Sequence, residues 1–403
     1  MKAPGKKIWV GCWALYLSFL LLLSKFSAFK ILGVPTMSPS FADLRFITSA
    51  SDCYSAGGWS MTGVSCDPWG RPFNYPSLWV RIFSFLDLGE AKTDILGILE
   101  LVILSASLIY WVRWAYSRLN SDKPKEYFAI LTIFILVSPP ILLLAERGNV
   151  DIVIFAGMTL AYFMASRSAY LSAGLLVSFL GTLKLYPFFG LTKLLEFRKR
   201  VFGSMAVIFC AVGGTVLILG ELKLIASRSE NGWNSISYGI SVLPLLLLRD
   251  TFGSHTKLVA ALFGAVILIV FAFVFSILKA KKDFVTAEPE VSNYLLNHNI
   301  AIMSLLFLAS YLSGTSYDYR LITLLPVLFM FLVSIRSKSV LRLFTLGALV
   351  SLYFGHLTSR FGDLGLILNI FGDTTIALFA SYLLSFYIDR LRASAASRKH
   401  SNV

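Results

Sequence analysis

The chain has 403 residues, of which 57% are hydrophobic and only 14% charged, and it carries a net charge of +14. Soluble domains carry about 25% charged residues, so a solvated globule is excluded. The basic excess does not indicate a nucleic-acid partner, because Lys and Arg gather in short segments between apolar runs, which is a pattern of membrane topology.

The apolar runs predict an all-α fold: a polytopic transmembrane helical protein of about 12 spans, organised as a single transmembrane domain over 1–403. In chain order the spans fall at about 8–31, 92–112, 127–145, 150–166, 169–182, 185–196, 201–220, 257–279, 296–313, 320–335, 340–356 and 366–388. The first follows Lys2, Lys6 and Lys7 and resembles a signal peptide, but it is long and lacks a small-x-small cleavage site, so it reads as an uncleaved span. Between the fifth and sixth lies Lys184-Leu185-Tyr186-Pro187. Proline breaks helices, so two short or broken helices meeting at an outer pocket are expected there.

Lys2/Lys6/Lys7, Arg113/Arg118/Lys123/Lys125, Arg167, Arg198/Lys199/Arg200, Lys279/Lys281/Lys282, Arg336/Lys338/Arg342 and Arg390/Arg392/Arg398/Lys399 all fall on one side of this arrangement. That side is expected to be cytoplasmic, with both termini on it. The expected location is a plasma or inner membrane, crossed many times. The outer or periplasmic side then holds a long first loop, 32–91, and a second, 221–256. Leu78 to Leu88 in the first loop predicts an interfacial helix, with Trp79 anchored near headgroups. Cys53 and Cys66 share this loop, and a disulfide fits an oxidising compartment. A zinc site is the weaker reading, since the loop holds no His. Cys12 and Cys210 lie in apolar runs and read as packing residues.

Polar residues near bilayer depth are costly and are default candidates for function. Asp43, Arg45, Arg71, Glu146, Arg147, Asn149, Asp151, Lys184, Tyr186, Asp318, Tyr319, Arg320, His356 and Arg360 would ring the outer face. Such a ring combines a carboxylate base with cations suited to an anionic lipid headgroup. Asp43 is the base candidate; the alternative is that Ser40 and Asp43 form a capping box at the start of a surface helix. Arg147, Lys184 and Arg320 are the phosphate-binding candidates. Arg147 has the alternative of pairing with Glu146 or Asp151, and Arg320 of pairing with Asp318 or snorkelling. Asn149, Tyr186, Tyr319 and His356 are candidates for binding the rest of a substrate. Glu100, inside the second span, is expected to pair with a basic or hydroxyl group on a neighbouring helix. No nucleotide-binding loop, GxGxxG, HExxH or GxSxG motif occurs in a fitting context, and no metal or cofactor is expected.

Several stretches together resemble glycosyltransferase family 87, within the C-type superfamily of polytopic glycosyltransferases. Asp43 followed by Phe73-Asn74-Tyr75-Pro76-Ser77-Leu78-Trp79 is similar to the family's early acidic residue and Tyr-Pro-Pro-like segment. Arg147-Gly148-Asn149 stands where the family has a Gly-Gln-x-Asn-like element. Ala173-Gly174-Leu175-Leu176 and Lys184-Leu185-Tyr186-Pro187 resemble its Ala-Gly-x-x-x-Gly and Lys-x-x-Pro stretch, and Tyr317-Asp318-Tyr319-Arg320-Leu321-Ile322 looks like a related outer-face element. Ser77 replaces the second proline, and Arg147 stands where a neutral polar residue is expected. The resemblance spans about 40–330. It implies transfer of a hexose, such as mannose, from a polyprenyl-phosphate donor to a lipid or glycan acceptor of the cell envelope at the outer face, with inversion. It implies Asp43 as base, with Asp52 and Asp67 as alternatives in the same loop. A transporter or lipid flippase, and a non-catalytic membrane subunit, are the competing classes. A transporter should carry broken, polar spans near the midplane, whereas the polar residues here crowd one face.

Overall fold

The computed structural model describes residues 6–61, 66–119, 125–194, 201–228, 237–238, 256–280, 300–312, 316–334, 347, 352–353, 367 and 370–389. The helices are α1 (Lys6–Lys25), α2 (Ala42–Ser55), α3 (Ser77–Phe85), α4 (Thr93–Tyr116), α5 (Lys125–Leu136), α6 (Pro139–Arg147), α7 (Asp151–Ser166), α8 (Tyr170–Leu183), α9 (Leu191–Leu194), α10 (Val201–Arg228), α11 (Thr256–Ala280), α12 (Ile300–Leu312), α13 (Leu325–Ser334) and α14 (Ile370–Asp389). Among the described residues there are also short 3-10 turns and an antiparallel bridge, Ser237–Tyr238 with Ser316–Tyr317. Among the described residues four helices are long and apolar enough to cross a membrane: Lys7–Lys25, Glu90–Tyr116, Phe128–Arg147 and Ile370–Asp389. Six further apolar helices run 10–17 residues.

The chain forms two compact units, one of residues 1–117 and 139–230, the other of 118–138 and 231–403. The division falls inside the span expected at 127–145. The helix breaks at Val137-Ser138, before Pro139-Pro140, because neither proline can donate into the preceding turn. α5 therefore belongs to the second unit and α6 to the first.

In the first unit, contact registers fix the helix directions. Trp13 Nε1 donates to Ser105 Oγ at 3.0 Å, and Trp9 packs edge-on to Tyr116 at 5.6 Å, so α1 runs antiparallel to α4. Trp111 donates to Thr159 at 3.0 Å and Trp114 to Tyr162 at 2.6 Å, so α4 and α7 run parallel. Gly157 of α7 packs under Leu180 of α8, an antiparallel neighbour. α8 and α10 are parallel: Gly174 and Ser178 meet Val207, and Thr182 meets Gly214. Glycine at 174 and 214 removes the Cβ that would collide with these partners, allowing the two backbones to approach.

Within the described residues 185–194 there is no spanning helix, where one is expected at 185–196. Lys184 is extended, Tyr186–Gly190 form a 3-10 turn, and Leu191–Leu194 are helical. Pro187 supplies the break anticipated at that tetrapeptide.

The 32–91 stretch is folded rather than looped, with α2 and α3 packed together. α2 is clamped to the start of α4 by buried Arg45, which donates to Glu90 at 3.3 Å and Asp94 at 3.0 Å. The helix expected at Leu78–Leu88 is α3, but Trp79 is no headgroup anchor. It is 3% exposed and donates to the Leu183 carbonyl at 3.1 Å, tying α3 to the end of α8. Glu221 of α10 accepts from Ser77 N at 2.8 Å and from Ser77 Oγ, satisfying free donors at the start of α3. α10 thus extends into the stretch read from sequence as the 221–256 loop.

In the second unit, Phe307, Phe329, Phe331 and Phe379 form a fully buried aromatic core, with Phe331 and Phe379 5.2 Å apart. Partly buried polar groups also pair across helices, Ser276 with Asp389 and Ser304 with Tyr387. The span expected at 340–356 lies almost wholly outside the described residues.

Candidate active site

The first unit gathers polar side chains where α1, α8 and α10 end and α4 and α7 begin. Phe41, just before α2, has φ 59°, a backbone region that costs a bulky L-residue energy. Three contacts hold it there. Its N–H donates to the Glu146 carbonyl at 3.2 Å, and its ring lies against Gly97 and Gly148, where side chains would collide with it. This turn delivers Asp43 in the first turn of α2. No side chain caps the helix, so the capping-box alternative for Ser40 and Asp43 fails.

Asp43 instead takes one donor on each oxygen. Arg71 Nη1 donates to Oδ1 at 2.9 Å, and Asn149 Nδ2 donates to Oδ2 at 2.6 Å. Arg71 is itself held on every side. Its Nε donates to Asp67 Oδ2 at 3.0 Å, and its Nη2 donates to Asp67 Oδ1 at 2.9 Å and to the Ala42 carbonyl at 2.7 Å. Its guanidinium also lies 4.8 Å from the Phe46 ring and 5.0 Å from Trp69. Burial opposes the guanidinium's charge, but the hydrogen bond to Asp67 and the charges of Asp43 and Asp67 outweigh it and hold the pKa above the ordinary arginine value. Asp67 follows directly on Cys66, which forms a disulfide with Cys53.

Asn149 links this group to a second one. Its Nδ2 also donates to Tyr75 Oη at 3.1 Å, and its Oδ1 accepts from Asp151 N at 2.9 Å. Asp151 Oδ1 accepts from Lys184 Nζ and from Tyr186 Oη, both at 2.6 Å. Lys184 Nζ also lies 5.4 Å from the Tyr75 ring. Asp151 is 1% exposed and Lys184 9% at the side chain, against 15% for Asp43.

Two more carboxylates adjoin Gly148. Glu146 Oε1 accepts from Met37 N at 2.7 Å, and its Oε2 lies 3.0 Å from Arg147 Nε. Glu100 Oε2 is buried with no hydrogen-bond partner, 3.2 Å from where a Cβ on Gly148 would stand. The basic or hydroxyl partner expected for Glu100 is absent among the described residues. The cations Arg71, Arg147 and Lys184 are each paired with a carboxylate inside this unit.

The structure thus brings together Asp43, Arg147, Asn149, Lys184 and Tyr186. Arg320 and Tyr319 belong to the second unit, in the 3-10 turn Asp318–Leu324. The Tyr319 side chain and the whole of His356 lie outside the described residues. The two alternative bases are engaged elsewhere. Asp67 is sealed under Arg71, and Asp52 accepts from Glu90 N at 2.8 Å at the start of a 3-10 turn. Sequence reasoning missed the roles of Asp67 and Tyr75. For Asp67 a signal existed: Asp67-Pro68-Trp69-Gly70 is a turn sequence, and Asp67 Oδ2 accepts from the backbone of Trp69 and Arg71 while Gly70 takes φ 70°. Among the described residues no group of three or more His, Cys, Asp or Glu is placed to hold a metal ion.

The model of glycosyltransferase family 87 matches residues 73–229. No curated protein and no solved structure matches the chain. The matched region is narrower than the 40–330 stretch of the resemblance. It contains Tyr75, the Arg147–Asp151 turn, Lys184 and Tyr186, and it leaves out Asp43 and the Tyr317–Ile322 element. Over residues 73–229 this chain is similar to glycosyltransferase family 87, and on a helical scaffold with apolar helices of spanning length that similarity supports an integral membrane glycosyltransferase.

Proposed function

We propose that the protein transfers a hexose from a polyprenyl-phosphate donor to a lipid or glycan acceptor at the outer face of the membrane, with Asp43 as general base. The carrying observation is the state of Asp43. Its side chain is partly exposed, and each oxygen accepts one hydrogen bond from a fixed donor. A carboxylate has about four lone-pair sites, so each oxygen can still accept the proton of an acceptor hydroxyl. As that proton passes to Asp43, the acceptor oxygen attacks the anomeric carbon. The bond from that carbon to the phosphate oxygen breaks, and its electron pair leaves with the polyprenyl phosphate. Attack opposite the leaving group inverts the configuration.

Charge grows on the phosphate as the bond breaks, so a fixed cation there favours the transition state. Arg147 suits this best: its Nε meets Glu146, while its two terminal nitrogens have no partner among the described residues. Lys184, spent on Asp151, acts indirectly by holding the floor of the site. Asn149 and Tyr186 line that floor. Arg320, in the second unit, is proposed to bind donor phosphate, and Tyr319 and His356 to bind the rest of the substrate.

The outer placement rests on helix direction. α4 and α7 both run away from the site, toward Arg113 and Arg167, and α1 begins beside Lys7 at that far end. The positive-inside rule makes that end cytoplasmic. Purified protein in liposomes, offered polyprenyl-phosphate hexoses and nucleotide hexoses in parallel, tests the reading. Transfer from the lipid-linked donors alone is expected, and transfer from the nucleotide sugars alone would overturn it. For the sidedness, single cysteines in 32–91 should react with an impermeant thiol reagent from outside the cell; labelling only from the cytosol contradicts it.

A further inference from the structure

We propose that Asp67, anchored by the Cys53–Cys66 bridge, is a positioning residue that orients Asp43 through Arg71. The inference rests on the reading of Asp43 as base. Arg71 bonds both carboxylates, and it is a stiff link. Its fork meets Asp67 along the Nε and Nη2 edge, which leaves Nη1 aimed at Asp43 Oδ1. Aromatic rings of Phe46 and Trp69 lie near the guanidinium, and the Ala42 carbonyl takes the remaining Nη2 bond. Rotation of the guanidinium would therefore break several contacts together. Asp67 is sealed, with its side chain 0% exposed, and it also accepts from two backbone N–H groups of its own turn. The residue before it is cross-linked to α2, ten residues beyond Asp43. The base and the group that aims it are thus stapled to one helix.

A catalytic group misplaced by about 1 Å can cost about 100-fold in rate. Asp67→Asn keeps the size of the side chain but loses the charge and one acceptor oxygen, so Arg71 loses its bidentate partner. The expected result is a fall in kcat of about 100-fold with the donor KM little changed, the split of an interaction felt in the transition state. Arg71→Lys, which supplies charge without a fork, should fall similarly. Opening the bridge gives a second measurement on the wild-type chain. A dithiol donates two electrons and two protons to the Sγ–Sγ bond, leaving two thiols and becoming a cyclic disulfide itself. Treated protein that stays monodisperse should lose kcat, regain it on reoxidation, and differ from a Cys53→Ser/Cys66→Ser double variant that is slow with or without dithiol.

Asp43→Asn is measured beside these. If it is inactive while Asp67→Asn and the reduced wild type keep full kcat, the positioning role is overturned and the base survives. If Asp43→Asn transfers sugar at the wild-type rate, the base reading itself falls.

Discussion

Two aspartates of the same unit carry similar partners and differ in exposure. Asp43 meets a cation, Arg71, and a neutral donor, Asn149; Asp151 meets a cation, Lys184, and a neutral donor, Tyr186. Asp43 is open enough to reach a substrate, whereas Asp151 is sealed. Chemical composition alone would give the two clusters one role. Burial separates them: the carboxylate proposed as base is the open one, and the closed one is proposed as support. Asn149 joins the two, so the support can set the geometry of the base.

Substitutions that break one cluster and spare the other sharpen this contrast. The largest loss of stability is expected at the sealed pair. Lys184→Met leaves Asp151 buried without its cation, costing about 3–5 kcal/mol, read by unfolding in detergent. Replacing both, as Asp151→Leu with Lys184→Met, should recover most of that loss, because no lone charge remains. A double variant as unstable as the single would mean that the pair does more than neutralise itself. Next is the joint. Asn149→Leu removes a hydrogen bond to a charged group, worth about 1.5 kcal/mol, so kcat should fall about tenfold or more. An unchanged kcat would disconnect the clusters.

Gly148→Ala tests the turn beside the base. Gly148 has φ 56°, and a Cβ would stand 3.0 Å from Phe41 and 3.2 Å from Glu100. A cost of about 1–2 kcal/mol follows from the backbone alone. The smallest effect should come from Glu221→Ala, which uncaps α3 and removes no bond to either aspartate, costing about 1 kcal/mol with kcat little altered. A large fall in kcat there would show that α3 shapes the site directly.

The sequence displayed the helical fold, the four helices of spanning length, the break at Pro187 and the polar residues that gather at one end of the first unit. Those features follow local rules of hydropathy and proline geometry. It did not display what Trp79 does, since an aromatic at an apparent loop looks the same whether it faces headgroups or, as here, the Leu183 carbonyl 104 residues away. Residues 185–194 look like part of a span because they are apolar, but they fold as a 3-10 turn and a short helical stretch instead. Asp43 was visible as a candidate, but its partners were not. Arg71 and Asn149 lie 28 and 106 residues away in sequence, and no local pattern encodes contacts at that separation.

The most direct test of the account is the rate of Asp43→Asn against the wild type, both reconstituted in liposomes with a polyprenyl-phosphate hexose. Loss of a general base should lower transfer by about 10²–10⁴-fold while the variant inserts and unfolds like the wild type. Equal rates from equally folded proteins would contradict the assignment of the chemistry to Asp43.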